Sequence, residues 1–294
     1  MKKLYWVSIF FIFTLSCRTT GESIDLSVEY FNIGNAYFKL EKLDKAEDYY
    51  LRSIDIDADY NSPRFNLSQI YISQSKFKLA KKQLFILYKQ DQQNIKVNRM
   101  LGFCFYVEGN IDNSLKYYLA AYNLGDISKE TKLNISKLYY QLGMYEDAKE
   151  NISELLVEAD DSTTIYMGGI IYEESGDQEE ALRLYLLSMD MGLDSIDLYL
   201  KILNIYKLNN DYKGQEKILT ILIDKDKDKA GYTFSLGYIY IINYNDFSKG
   251  YELIKKSIDL GFNSSTDAEL LLNEPNLIEK DKIRQLFLDN KIIQ

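Results

Sequence analysis

The side chains that could do chemistry in this 294-residue chain are carboxylates, hydroxyls, lysines and two cysteines, because the sequence contains no histidine. Without imidazole, Ser-His-Asp and Cys-His catalysis and histidine-bound metal sites are excluded. The 44 acidic residues include many possible pairs, but no pair is marked as buried by its neighbours in the sequence. No glycine-rich phosphate loop is present either. We therefore expect no catalytic residue, no cofactor and no metal ligand.

Two short patterns have the spacing of known sites and lack the rest of them. Ser73 and Lys76 are spaced like the serine and lysine of penicillin-binding enzymes, but the companion motifs of those enzymes are absent. The acidic run 224–228 alternates aspartates like a calcium loop, but Lys229 occupies the position where that loop needs glycine. We interpret the first as a chance match at a helix end and the second as a solvated loop.

The N-terminus has the features of an export signal. Lys2 and Lys3 precede an uncharged apolar stretch, residues 4–15, which is shorter than the about 20 residues needed to cross a bilayer. Ser16 and Cys17 follow, and this arrangement resembles a bacterial lipoprotein signal in which Cys17 becomes the lipidated first residue. A plain secretory signal is the main alternative, and a buried N-terminal helix is the third.

Composition limits the partners. Removal of the signal, residues 1–16, would lower the formal charge from −9 to −11, which disfavours nucleic acid and anionic lipid surfaces as partners. We expect membrane attachment through the lipid on Cys17 only. Arg18 follows where some bacteria use aspartate to retain lipoproteins in the inner membrane, which favours the outer membrane. Cys104 is predicted to be a small core residue.

The elements that would position any binding residue are repeats. An aromatic residue returns at intervals of 34, 34, 34, 33, 34 and 34 residues. The series is Tyr37, Tyr71, Phe105, Tyr139, Tyr172, Tyr206 and Tyr240. Small residues recur three before and nine after it, and large apolar residues recur four before and thirteen after it. These spacings predict pairs of helices in close contact, repeated along the chain.

The pattern resembles the tetratricopeptide repeat, a helix-turn-helix unit of 34 residues. The resemblance implies an all-α, right-handed superhelical solenoid of about seven repeats. The predicted domains are a signal peptide (1–16), the lipidated cysteine with a short linker (17–26), seven repeats (27–263) and C-terminal capping helices (264–294). The repeats are expected to start near 27, 61, 95, 129, 162, 196 and 230. The last repeat is expected to carry one extra residue in its turn. The usual proline after the second helix is missing, so polar residues and glycines such as Gly125 and Gly192 must end those helices.

In this family the first helix of each repeat lines a concave groove, which implies a site for a protein or peptide partner. The residues predicted to line it are Phe31, Asn35, Phe38, Phe65, Asn66, Lys96, Arg99, Phe103, Tyr106, Tyr140, Tyr166, Phe234 and Tyr238. Asn35, Asn66 and Lys96 match three positions of the family's carboxylate clamp. Phe31 and Met100 replace its other cation positions, so the clamp is incomplete.

These observations predict a non-catalytic adaptor of the bacterial cell envelope, similar to tetratricopeptide lipoproteins that support envelope assembly machines. The alternative is an exported protein that binds a solute or glycan on the aromatic groove.

Overall fold

The computed structural model describes residues 25–225 and 228–294, and over these residues the secondary structure consists of helices joined by turns, without strands. The first helix, α1, covers residues 25–39. The others are α2 (Leu43–Ile56), α3 (Asn61–Ser73), α4 (Phe77–Gln90), α5 (Ile95–Val107), α6 (Ile111–Asn123), α7 (Lys129–Gln141), α8 (Tyr145–Val157), α9 (Ser162–Glu174), α10 (Gln178–Asp190), α11 (Ile196–Leu208), α12 (Tyr212–Lys225), α13 (Lys229–Tyr238), α14 (Phe247–Asp259), α15 (Ser265–Leu272) and α16 (Lys280–Asp289). The predicted all-α fold class is confirmed. The predicted signal, Cys17 and Asp226 lie outside the described residues.

The chain forms two compact units, one ending at Leu155 and the other beginning at Leu156. In the first unit α3 packs on α4 and α5 packs on α6. In the second unit α9 packs on α10, α11 on α12 and α13 on α14. Each first helix of a predicted repeat therefore lies against the second helix of the same repeat, which is the helix-turn-helix arrangement.

Small residues on one helix accept large residues from its partner. Ala46, Ala80, Ala148 and Ala181 are completely buried, as the spacing predicted. Gln215 stands at the same position and is also buried, and its Nε2 donates a hydrogen bond of 3.1 Å to the carbonyl of Tyr206. The exception in the pattern is therefore accommodated because its amide is satisfied by the backbone.

The turn between the two helices of each repeat contains one residue in the left-handed conformation. These residues are Glu41, Ser75, Gly109, Gly143, Gly176, Asn210 and Asn245, with φ between 54° and 87°. Only glycine adopts this conformation without a steric cost, so the four other side chains are held there by the repeat geometry.

The loops between repeats are fastened by side chains in place of the missing proline. Arg64 Nη2 donates to the carbonyl of Ala58 at 3.1 Å, and Asn98 Nδ2 donates to the carbonyl of Gln92 at 2.9 Å. Both donors occupy the fourth position of the first helix. Gly125 and Gly192 have φ values of 109° and 93°, which confirms that glycines end helices here.

The seventh repeat corrects one expectation. Its extra residue was expected in the turn, but α13 continues into a π-helical segment, Ile239–Asn243, and the turn after it keeps three residues. The wider π turn accommodates one more residue inside the helix. As a result Ile241, expected to face the groove, is buried.

The last helices cover the end of the second unit. Ser264 begins α15 with its Oγ accepting a hydrogen bond from the Asp267 amide at 3.3 Å, which confirms the predicted helix start. Ile283 and Phe287 of α16 are completely buried, and the Phe287 ring lies 6.3 Å from the ring of Phe234.

Candidate functional site

The first unit contains a cavity of about 690 Å³ along α1, α3 and α5. Its lining residues are Phe38, Phe65, Gln69, Ile72, Ser73, Lys96, Arg99, Met100, Phe103, Tyr118 and Glu130. Five of these were predicted to line the groove. The structure therefore brings Phe38, Phe65, Lys96, Arg99 and Phe103 together at one site.

The repeat spacing explains why these side chains meet. Phe65 and Arg99 are 34 residues apart, so they occupy the same position on the neighbouring helices α3 and α5. Gln69 and Phe103 stand in the same relation one turn later. Residues at equivalent positions of stacked repeats lie side by side, and they form one continuous surface.

Apolar groups of this cavity are accessible. The side chain of Phe103 is 37% exposed, and its ring contacts the ring of Phe77 edge-on at 6.2 Å. Phe65 is half-buried, whereas Lys96 is exposed. Large apolar side chains exposed beside a cation are typical of the centre of a protein interface.

The charged side of the cavity is held by a buried carboxylate. Arg99 Nη1 lies 3.5 Å from Asp126 Oδ2, and Thr131 Oγ1 donates to the same oxygen at 2.9 Å. Burial opposes ionisation of Asp126, but hydrogen bonds from Ser128 and Thr131 and the charge of Arg99 outweigh it and lower the pKa of this carboxyl. Asp126 is therefore charged at neutral pH and keeps Arg99 in place. Lys96 has no ionic partner among the described residues.

Tyr118 forms part of the cavity wall although it belongs to a second helix. A Cβ on Gly102 would lie only 2.8 Å from the Tyr118 ring, so glycine is needed for the ring to pass. The Tyr118 hydroxyl accepts a hydrogen bond from Asn134 Nδ2 at 3.2 Å, and burial raises its pKa. Its hydroxyl is therefore neutral at physiological pH and can also donate.

A smaller cavity of about 390 Å³ lies beside the first and shares Phe65 with it. Phe31 and Asn66 also line it. Asn35 Oδ1 accepts hydrogen bonds of 2.8 Å from both the Tyr50 hydroxyl and Asn66 Nδ2. The two asparagines therefore bond to each other and to Tyr50.

Comparison with known proteins agrees with this geometry. The sequence profile of the tetratricopeptide repeat matches residues 27–60. A crystal structure of a tetratricopeptide repeat protein from Parabacteroides merdae superposes with a TM-score of 0.56 at 17% identity, covering 84% of this chain and 98% of that protein. The chain is a tetratricopeptide repeat protein.

Two further proteins are similar to this tetratricopeptide chain. YrrB, described as a tetratricopeptide protein with an unusual peptide-binding site, superposes with a TM-score of 0.55 at 19% identity, covering 65% of this chain and 97% of YrrB. An uncharacterized lipoprotein of Treponema pallidum is 25% identical over 164 residues, which is 54% of this chain and 84% of that protein.

The remaining groove residues of the tetratricopeptide pattern are placed differently. Tyr106 and Tyr140 are half-buried on the first helices of the third and fourth repeats. In the second unit, Tyr166 donates a hydrogen bond to Asp197, and Tyr238 donates one to Glu274. These four tyrosines are at least partly accessible.

Phe234 differs from the expectation for a groove residue. It is 4% exposed, and its ring stacks on Phe262 with the centroids 4.0 Å apart. The reason is that Phe262, which follows the last repeat, covers the position that is open in earlier repeats. Phe234 is therefore a core residue.

The sequence reasoning also missed three residues of the large cavity. Met100 and Glu130 line it from first helices, and Tyr118 reaches it from a second helix. The glycine three residues before Phe105, opposite a tyrosine instead of leucine, was the available signal for Tyr118.

The groups examined for chemistry have structural surroundings. Ser73 ends α3 and donates to the carbonyl of Ile70 at 2.8 Å, while Lys76 Nζ lies 3.8 Å from Glu47. Cys104 is completely buried, as predicted, and burial raises the pKa of its thiol to about 12. The helices of residues 25–225 and 228–294 include none long and apolar enough to span a bilayer.

Proposed function

We propose that this chain is a non-catalytic adaptor of the cell envelope that binds a segment of a partner protein in the large cavity of its first unit. The tetratricopeptide fold supports the general role, because stacked repeats provide a continuous surface for protein interaction. The observation that carries the specific proposal is the juxtaposition of Phe65 and Phe103 with Lys96 and Arg99 around one cavity.

The chemistry of the cavity defines the partner segment. Phe103, Phe65 and Ile72 offer apolar surface to one or more large apolar side chains, whose burial would supply most of the affinity. Lys96 and Arg99 would pair with an acidic group on the same segment. Because Arg99 is already paired with Asp126, the unpaired Lys96 would supply most of the charge attraction.

A protein segment fits the site better than a compact ligand does. The cavity runs across three successive first helices, α1, α3 and α5, so an extended chain would contact equivalent positions on each. YrrB, which shares the fold, is described by its peptide-binding site.

The proposed attachment to the envelope rests on the N-terminal sequence. Cys17 follows an export signal, and the similar protein of Treponema pallidum is described as a lipoprotein. We propose that Cys17 is lipidated and that the mature chain is anchored in the outer membrane, where it supports an envelope assembly machine.

Partner binding is tested by affinity capture from detergent-solubilised envelopes of the bacterium that makes the chain. The test variant combines Lys96→Glu with Phe103→Ser, and the matched control combines Lys82→Glu with Leu79→Ser on the exposed face of α4. All three proteins should have the same helical circular dichroism. We expect one or more partners to be captured by wild type and by the control and lost by the test variant. Equal capture by all three proteins would show that this cavity is not the binding site.

The anchor is tested separately by mass analysis of the mature N-terminus in wild type and in a Cys17→Ser variant. We expect a diacylglyceryl mass on Cys17 in wild type, and release of the variant from membranes. An unmodified wild-type N-terminus would exclude the anchor and leave the binding proposal in place.

A further inference from the structure

The second unit has a cavity of its own, of about 740 Å³, lined by α13, by the π-helical segment and by α15. It differs in chemistry from the cavity of the first unit. Its charged lining residues are Lys207 and three carboxylates, Asp228, Asp267 and Glu274.

Small residues on α13 create this space. Gly231 lines the cavity at the position that Lys96 and Glu130 occupy in the third and fourth repeats, and Ser235 lines it one turn later. The loss of a long side chain at this position leaves open volume in the last repeat. The cap helix α15 then covers one side of that volume with Asp267 and Leu270.

The charge of the lining favours a cation. Three carboxylates face one ammonium group, so the site is electronegative on balance, and a cavity with low-dielectric walls strengthens such a field. Asp228 caps α13 by accepting a hydrogen bond from the Gly231 amide at 3.1 Å. Glu274 accepts a hydrogen bond from the Tyr238 hydroxyl. Asp267 has no such fixed role for its side chain and is exposed.

Three tyrosine rings line the same cavity: Tyr212, Tyr232 and Tyr238. The face of an aromatic ring attracts an ammonium or guanidinium group, and several rings around one site are how proteins bind organic cations. The combination of rings and carboxylates selects for a ligand with a cationic head and an apolar stem.

An unsatisfied acceptor shows which kind of group the ligand must bring. Asn243 Oδ1 is shielded from solvent, lines the cavity region through its residue, and receives no hydrogen bond from the described residues. A buried acceptor without a donor costs free energy, so a ligand that donates a hydrogen bond would be favoured. An N–H group can do this, whereas a carboxylate cannot. Asn243 ends the π-helical segment, a type of distortion that is frequent at functional sites.

A metal ion does not fit the same arrangement. Within the described parts of the chain, no three acidic or cysteine residues come close enough together to coordinate one. The carboxylates are instead distributed around a space large enough for an organic group.

We propose that this cavity binds an alkylammonium group, supplied either by a lysine side chain of a peptide or by a free diamine. The ammonium group would lie among Asp267, Glu274 and the tyrosine rings and would donate a hydrogen bond to Asn243. This site is independent of the cavity in the first unit.

Isothermal titration calorimetry on the full chain tests the proposal with three probes. These are cadaverine, N-acetyl-lysine methylamide and the uncharged N-acetyl-norleucine methylamide. The test variant combines Asp267→Asn with Glu274→Gln, which removes two charges and keeps the side-chain shapes and the Tyr238 hydrogen bond. The matched control combines Glu252→Gln with Asp259→Asn, two exposed carboxylates of α14 in the same unit.

We expect at least one cationic probe to bind and the norleucine probe not to bind. The test variant should bind the cation about ten-fold more weakly, which corresponds to about 1.4 kcal/mol, and the control should match wild type. Binding of cadaverine alone would identify a free amine as the ligand type, and binding of the lysine probe alone would identify a peptide.

Three results would overturn the proposal: no binding of either cation, equal binding of the norleucine probe, or equal weakening in the control. A Lys96→Glu variant, altered only in the first unit, should bind the cations normally. The fate of this proposal is therefore separable from that of the adaptor site.

Discussion

The packing of Tyr185 against Gly169 gives a prediction that can be worked out from the structure. A Cβ on Gly169 would lie 2.5 Å from two ring carbons of Tyr185, which is completely buried. Alanine at Gly169 gains about 1 kcal/mol of helix propensity but overpacks this contact, at a cost of about 1–3 kcal/mol. We expect Gly169→Ala to lower the free energy of unfolding by about 0–2 kcal/mol.

The partner substitution should relieve the overpacking. Tyr185→Leu alone removes buried ring atoms and the hydrogen bond of 2.6 Å to Glu173, so it should cost about 2–4 kcal/mol. Glu173 keeps a partner in Lys201, 2.8 Å away. In the double variant the alanine methyl enters space that the ring has left. We expect the double variant to be about 1–3 kcal/mol more stable than the sum of the single effects predicts.

Urea denaturation of the four proteins, followed by circular dichroism, measures this coupling. As a control, Gly169→Ala is combined with Tyr251→Leu, two repeats further along the chain, and these effects should add within about 0.5 kcal/mol. Additive effects for the Gly169 and Tyr185 pair as well would refute the packing argument. The same chain already shows the exchange, because Ser68 stands opposite Leu84 where Gly169 stands opposite Tyr185.

Three more predictions concern the first unit. Ser75→Gly should raise the free energy of unfolding by about 0.5–1 kcal/mol, measured by thermal denaturation, since Ser75 is held at φ 58° where only glycine is unstrained; an unchanged melting temperature would contradict this. Asp126→Asn should destabilise the chain at neutral pH. Because the folded pKa of Asp126 is lowered, that difference should narrow as the pH falls below about 4, and urea titrations at pH 7 and pH 3 would show a constant difference if the reasoning is wrong. Cys104 should react with a thiol reagent only on unfolding, because its pKa is raised to about 12 and it is buried; fast labelling of the native chain would contradict its core position.

The helical pairing and much of the first cavity could be predicted from the sequence because both depend on a period. Phe65 and Phe103 repeat a local pattern, and the position of a residue in that pattern determines which side of the helix it occupies. The same reasoning places Cys104 in the core, because it precedes the repeating aromatic by one residue.

Features that depend on a departure from the period could not be predicted in this way. Phe234 has the sequence position of a groove residue, but Phe262 lies beyond the last repeat and covers it. The extra residue of the seventh repeat could be counted from the spacing, although spacing cannot say whether the helix or the turn contains it. The lipidation of Cys17 stays a prediction, because that residue lies outside the described part of the chain.

The π-helical segment Ile239–Asn243 also bears on how long the array can be. One additional residue turns the rest of a helix by about 100° relative to the earlier repeats. Ile241 is buried and Ile242 lines the cavity for this reason. A further repeat placed after this point would present its contact residues at the wrong angle, so gene duplication could not simply extend the chain at this end. The number of repeats is thereby encoded by a single inserted residue as well as by the cap.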